Sequence, residues 1–265
     1  MSAKSTYADK NMEAYVERIK TNAEHLAKDI FPKKALELDE LVNGSTLDTA
    51  NLSKVSDSAD FPKPEDFILA SAGLEKSDLN QKENVDESMQ SKKRKYDHLS
   101  KSETEISGTK VILFPGGAIK SNQTIIDLLK HIKPYVIHFL DSSAMLKLWI
   151  QILIPQIEDF KAELSLQIQE ESLAEIRAIE SEVATYLDHI YKYYAVRGKL
   201  VAKFAKYPHV HDYKQSILEL DEKMFMTARL IALELRNHYT SVHDILIKNL
   251  EKIKKPRSDH TISMY

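Results

Sequence analysis

Apolar residues recur at steps of three and four through most of the second half of the chain, with polar residues between them. One run carries Leu173, Ile176, Ile179, Val183, Tyr186/Leu187, Ile190, Tyr193/Tyr194, Val201 and Phe204. A second carries Tyr213, Ile217, Leu220, Met224, Ala228, Ile231, Leu235, Val242, Ile245, Leu250 and Ile253. This is the spacing of one helix face. Between Pro155 and Pro256 the only proline is Pro208 and the only glycine Gly198, so the pattern predicts two long helices from Glu170 to Pro256, broken at Tyr207-Pro208-His209-Val210. Two runs of about 40 residues make rods roughly 60 Å long. An apolar stripe of that length has to be covered along its whole extent, so an elongated helical bundle is expected.

The other helices are sought upstream. Residues 6–30 show Met12, Tyr15/Val16, Ile19, Ala23, Leu26 and Ile30 on one side. Phe31-Pro32 is expected to bend the chain, and Lys33 to Val42 to restart as a short piece ended by Asn43-Gly44-Ser45. From there to about Ser107 periodicity is lost among Ser, Asp, Lys and Asn, which predicts a long loop, disordered in large part. Thr109 to Phe114 is a short apolar run before Pro115-Gly116-Gly117, read as an extended segment packed on helices. A helix then runs from a cap at Ser121 to Ile154, with a kink near Ile132–Lys133 before the interior Pro134. Its face carries Ile125/Ile126, Leu129, Ile132, Val136, Phe139/Leu140, Met145, Leu148/Trp149 and Ile152/Leu153. Pro155 to Ser165 connects it to the next helix. The fold class is therefore all-α, a four-helix bundle in three stretches: residues 1–42, an insert at 43–107, and 108–265.

Composition supports this reading. Six glycines and eight prolines in 265 residues are few for a turn-rich fold. The formal net charge of −3 gives no global field for nucleic acid. With no cysteine there is no disulfide, thiolate nucleophile or thiolate zinc site, which suits a reducing compartment. No signal peptide or membrane span is read from the pattern. The glycosylation triplets at Asn43, Asn51 and Asn122, lacking a secretory signal, are read as coincidental.

Searches for catalytic chemistry find nothing. No glycine-rich phosphate loop precedes Gly198-Lys199, and the ten histidines form no His-Glu-x-x-His or Glu-x-x-His. His209-x-His211 lacks a third ligand. Asp188-His189 and His243-Asp244 are chain neighbours that point apart on a helix. No Gly-x-Ser-x-Gly occurs. Catalytic, metal and cofactor residues are all read as none.

Two other features stand out. Lys92, Lys93, Arg94 and Lys95 form a compact basic cluster inside the insert, of the kind nuclear import receptors read. After the basic last turn of the final helix and Pro256, the chain ends on Ile262, Ser263, Met264 and Tyr265, an apolar terminus suited to docking in a partner's pocket.

Several separated motifs then occur in order: Phe31-Pro32-Lys33-Lys34 with Leu36-x-Leu38-Asp39, Gly108-Thr109-Lys110-Val111, Trp149-x-Gln151-x-Leu153-Ile154-Pro155-x-Ile157-Glu158-Asp159, Lys206-Tyr207-Pro208-His209-Val210, Leu235-Arg236-Asn237 and Lys248-Asn249-x-Glu251-Lys252-Ile253-Lys254-Lys255-Pro256-Arg257. Together they resemble the 11S, ATP-independent proteasome activators, most nearly the gamma type, over everything but the insert. The resemblance implies a four-helix protomer in a homo-heptameric ring that docks on the alpha subunits of the proteasome core particle and opens its gate. It assigns docking to the tail Ile262–Tyr265 and gate opening to an activation loop of Ile157, Glu158, Asp159, Phe160, Lys161, Ala162, Glu163, Leu164 and Ser165. The basic cluster resembles the gamma type's nuclear signal, implying a nuclear protein that can also occur in the cytoplasm. One departure is visible: the family follows Ile-Glu-Asp with a Gly-Asn-Asn-Phe-Gly-like turn, where this chain has Phe160 to Ser165 without glycine. A helical scaffold or nuclear adaptor is the alternative, but it leaves the apolar terminal tetrapeptide unexplained.

Overall fold

The computed structural model describes residues 10–57, 61, 62, 119–154 and 163–254, the side chains of 163–165 excepted. The described elements are all helical. Helix α1 (Lys10–His25) passes through a π-helical turn (Leu26–Ile30) into α2 (Phe31–Asn43). A short α3 (Leu52–Asp57) follows, then α4 (Gln123–Leu153), α5 (Glu163–Lys206) and α6 (His211–Lys254). Both α5 and α6 have 44 residues, about 66 Å each. They pack against each other and against α4, while α2 lies along α6. This is the expected elongated bundle.

Pro32 does not divide the first helix as the sequence suggested. The Phe31 N–H donates to Leu26 O, five residues back, so the turn before the proline takes up one extra residue. That insertion has two effects. It keeps Ala23, Ala27, Phe31 and Ala35 buried in steps of four, where an uninterrupted α-helix would carry such a series off one face. It also leaves Ala27 O without a backbone donor, because Phe31 N–H is engaged and Pro32 has none. His243 Nδ1–H of α6 supplies the missing bond at 2.7 Å.

The start of the insert also differs from the expectation of a loop. Two 3₁₀ turns, Ser45–Leu47 and Thr49–Asn51, and α3 fold back on the bundle, burying Leu47 and Val55 completely. Arg229 of α6 holds this return by donating to Val42 O and Leu47 O at 3.2 and 2.6 Å. Elements of three to six residues are too short to show a period. Gly44 is required at the entry by close approach: a Cβ there would lie 2.9 Å from Glu40 O. The apolar run at 109–114 lies outside the described residues.

Helix α4 is capped by Asn122 rather than Ser121, the Asn122 Oδ1 accepting from Ile125 N–H at 3.3 Å. It continues unbroken through Pro134. By length and composition α4 could cross a membrane, but its apolar face is core here, with Ile125, Ile132, Val136, Phe139, Leu146 and Ile150 fully buried. At mid-bundle the rings of Phe31, Phe139 and Tyr239 meet with centroids 4.9 to 5.7 Å apart. Tyr239 donates to Tyr135 O at 3.1 Å and accepts from His138 Nδ1–H at 2.9 Å, so its hydroxyl is satisfied inside the apolar layer. The periodicity misplaced a few positions: Met12, Tyr15, Leu148 and Tyr194 are exposed, while Phe225, Leu246 and Tyr239 are core.

Candidate functional site

The helices run alternately up and down, which gives the bundle two chemically distinct ends. At one end α4 finishes, α5 begins and α6 finishes. Ile154 follows α4 in an extended conformation, and α5 starts at Glu163, so the connector is shorter than the sequence suggested. Glu163, Leu164 and Ser165, expected in the loop, form the first backbone turn of α5. Polar spacing hid this start, because the apolar stripe becomes legible only from Leu173.

Gln169 closes this end. Its side chain is fully buried, and its Nε2 donates to two carbonyls on different helices, Leu153 O at 3.2 Å and Ile253 O at 2.9 Å. Leu153 is the last residue of α4 and Ile253 the last but one of α6. The final carbonyls of a helix have no intrahelical donor, so one amide group satisfies two orphan acceptors at once. Among the described residues its Oε1, by contrast, has no hydrogen-bond donor. Beside it Lys254 bonds Glu24 of α1 at 2.8 Å, and Lys28 adds a second contact to the same carboxyl at 3.1 Å. The Lys254 hydrogen bond holds the Glu24 carboxyl below its ordinary value, and Glu24 in turn raises the Lys254 ammonium. The ion pair therefore persists at neutral pH.

The opposite end is closed by charge. Asp221 of α6, fully buried, accepts from Arg197 Nε and from Tyr193 OH, both at 2.9 Å, and from Asn122 Nδ2 at 3.1 Å. Asn122 Nδ2 also donates to Val55 O at 2.9 Å, and Arg197 Nη1 reaches Lys120 O at 3.4 Å. Four segments thus meet on one carboxylate and its partners: α3, the stretch that leads into α4, α5 and α6. Burial, followed by the negative Asp221, raises the Tyr193 hydroxyl well above the ordinary tyrosine range, so it stays a donor. Asn122, read as a coincidental glycosylation triplet, is buried with its amide engaged.

Of the residues singled out for function, Ile157 to Ala162, Ile262 to Tyr265 and Lys92 to Lys95 lie outside the described residues. Their points of attachment are described: the connector and the C-terminal segment leave from the same end, between helix termini that Gln169 joins. Sequence reasoning missed Gln169, Arg197 and Asp221. Each is a polar residue in phase with an apolar stripe, Gln169 four before Leu173, Arg197 four after Tyr193 and Asp221 four after Ile217. A polar side chain in that phase signals a buried network.

Comparison with known proteins agrees with this architecture. The family described as "Proteasome activator PA28, C-terminal" matches residues 118–263, and "Proteasome activator PA28, N-terminal" matches residues 6–66. "Proteasome activator complex subunit 3" of Homo sapiens is 40% identical over 254 residues, covering 96% of this chain and 94% of its own length. The Gallus gallus protein of the same description is 41% identical over 256 residues, again covering 96% and 94%. Among solved structures, the crystal structure of the 11S subunit of the Plasmodium falciparum proteasome, PA28, superposes with a TM-score of 0.68 at 25% identity, covering 96% of this chain and 99% of that one.

Proposed function

The chain belongs to the PA28 family of proteasome activators, regulators rather than proteases, and from that premise we propose that seven copies form a ring that docks on the proteasome core particle and opens its gate without ATP. The ring has no peptide-cutting chemistry of its own in this reading and acts by changing access to the core particle. One observation carries it beyond family membership: the connector assigned to activation and the tail assigned to docking leave from one end of the bundle, with their roots tied through Gln169 to Leu153 O and Ile253 O. A ring built from such protomers presents both segments on one face, towards one partner. Multivalency then supplies affinity, since seven tails worth about 1–2 kcal/mol each compound into strong binding.

Two variants test the two assignments separately. Deleting Ile262 to Tyr265 removes the terminal carboxylate and the apolar side chains from every subunit, and capture of the core particle should be lost while the ring still sediments as a heptamer. Replacing residues 157–162 with a Gly-Ser linker, which spares the first turn of α5, should leave capture intact and abolish stimulation of fluorogenic peptide hydrolysis. Capture by the tail-deleted ring would refute the docking assignment. Wild-type stimulation by the linker ring would refute that of the loop. Within the same reading Lys92 to Lys95 direct the protein to the nucleus; their replacement by alanine should shift it to the cytoplasm without altering assembly, and unchanged nuclear accumulation would place the signal elsewhere.

A further inference from the structure

We propose that Gln169 is a positioning residue for activation: its amide sets the root of the connector at Leu153 against the root of the tail at Ile253. The inference rests on the loop and tail assignments above. It starts from donor economy. A primary amide carries two N–H groups, and here both are spent on carbonyls of different helices, 3.2 and 2.9 Å away, at the last turns of α4 and α6. The opposite amide orientation would set Oε1 against two carbonyl oxygens, so the donor assignment is unambiguous.

Among the described residues the Gln169 Oε1 has no donor, so the side chain is held through its two N–H groups alone. An apolar side chain of the same size would fill this space but leave the Leu153 and Ile253 carbonyls without the donor that Gln169 supplies. What an apolar side chain cannot do is fix the distance between two helix ends by directional bonds. Gln169 sits six residues into α5, the helix that follows the connector, so the connector's far root moves with it. All three helix termini at this end are thereby held in one geometry.

Loop and tail respond differently to loss of that geometry. Beyond Lys254 the sequence continues for eleven residues, 255–265. Eleven residues can span up to about 36–40 Å, so an ångström-scale shift of the root is small against the length of chain between the root and the terminal residues. The connector is attached at both ends, at Ile154 and Glu163, and a displaced root displaces whatever it presents. Loss of the Gln169 donors should therefore act on maximal stimulation rather than on affinity.

The test uses full-length rings of the Q169M variant, which keeps the side chain's length and removes its donors, beside I132V rings as a control for mild core destabilisation at a buried site remote from this end. Two quantities are read from titrations of core particle peptidase activity: the half-saturating ring concentration and the maximal stimulation. For Q169M the first should stay within about twofold and the second fall by about tenfold, the scale on which small misplacements act. I132V should change neither. If homomeric Q169M rings fail to assemble, mixed rings co-expressed with wild-type subunits should lose maximal stimulation in step with the variant fraction. Unchanged maximal stimulation, a matching rise in half-saturation, or the same loss in I132V would overturn the assignment. The 157–162 linker ring separates the two levels. If it stimulates normally, the loop reading fails and Gln169's role with it; if it is inactive while Q169M is fully active, only the role of Gln169 falls.

Discussion

The two ends of this bundle solve the same problem with different chemistry. At one, α5 begins while α4 and α6 finish and leave carbonyls that need donors; towards the other, α4 begins beside Asp221, which lies ten residues inside α6. The Asp221 end uses a buried carboxyl group that collects donors from Arg197, Tyr193 and Asn122. The Gln169 end uses one neutral amide and a partly exposed ion pair between Lys254 and Glu24. Charge-assisted bonds in a buried site are individually stronger than neutral ones, and their loss leaves an uncompensated charge. The first end is thus locked, whereas the second is held in register by weaker bonds. The locked end is the one from which neither the connector nor the tail departs. Rigidity is concentrated away from the segments assigned to the partner, and the end nearest them keeps geometry without the same energetic depth.

The largest break in this comparison is expected from Asp221→Asn. It strands the Arg197 guanidinium, which is 5% exposed, at a cost of about 3–5 kcal/mol typical of a broken buried pair. Urea unfolding should show a lower midpoint at unchanged m-value. A loss below about 1 kcal/mol would mean that the network is wet and contributes like a surface pair.

Acidification should come next, acting on the middle of the bundle. Burial holds both His138 and His238 below the ordinary histidine value of 6.5, in His238 against the opposing pull of Glu182 and Glu234. The unfolded chain then binds protons that the folded one refuses. Their contribution is fully present above about pH 6.5 and is lost as pH falls below it. The melting temperature should therefore drop between about pH 7 and about pH 5.5, before the carboxylates titrate. Replacing both histidines with glutamine should flatten that slope; an unchanged slope would assign the sensitivity to other groups.

The smallest effect is expected from Glu24→Gln at the Gln169 end. With Lys254 36% exposed and the pair open to solvent screening, the loss should be within about 1 kcal/mol and shrink further in salt. Because the Glu24 carboxyl is held below its ordinary 4.5, its contribution is present above that pH and lost as pH falls further. A cost comparable to that of Asp221→Asn would erase the contrast between the ends.

Much of the architecture was legible in the chain because helices of this length repeat their signal many times. Stripes such as Leu173-Ile176-Ile179-Val183 and Met224-Ala228-Ile231-Leu235 are read over and over, so a single misleading residue cannot hide them. The ordered motifs around Trp149, Tyr207 and Lys248 identified the family from the same linear record. What the chain could not show were local solutions made by contacts far apart in sequence. Phe31-Pro32 reads as a bend; that the helix instead absorbs the proline with a π turn depends on His243, 216 positions away, reaching Ala27 O. Leu47 and Val55 look like loop residues until Arg229 and the groove beside α6 give them somewhere to go.

The candidate site divides in the same way. Composition and spacing along the chain determined an all-helical protomer with an apolar tail and a connector from Pro155, because these are properties of adjacent residues, and the resemblance of its ordered motifs added the activator family. Only the tertiary structure decided that α5 begins at Glu163, that the connector and the tail share one end, and that Gln169 joins their roots. Hydrophobic periodicity is a local quantity, summed along one helix. The partner of a buried amide or carboxylate is a geometric one, settled only when Leu153, Gln169 and Ile253 come within hydrogen-bond distance of each other.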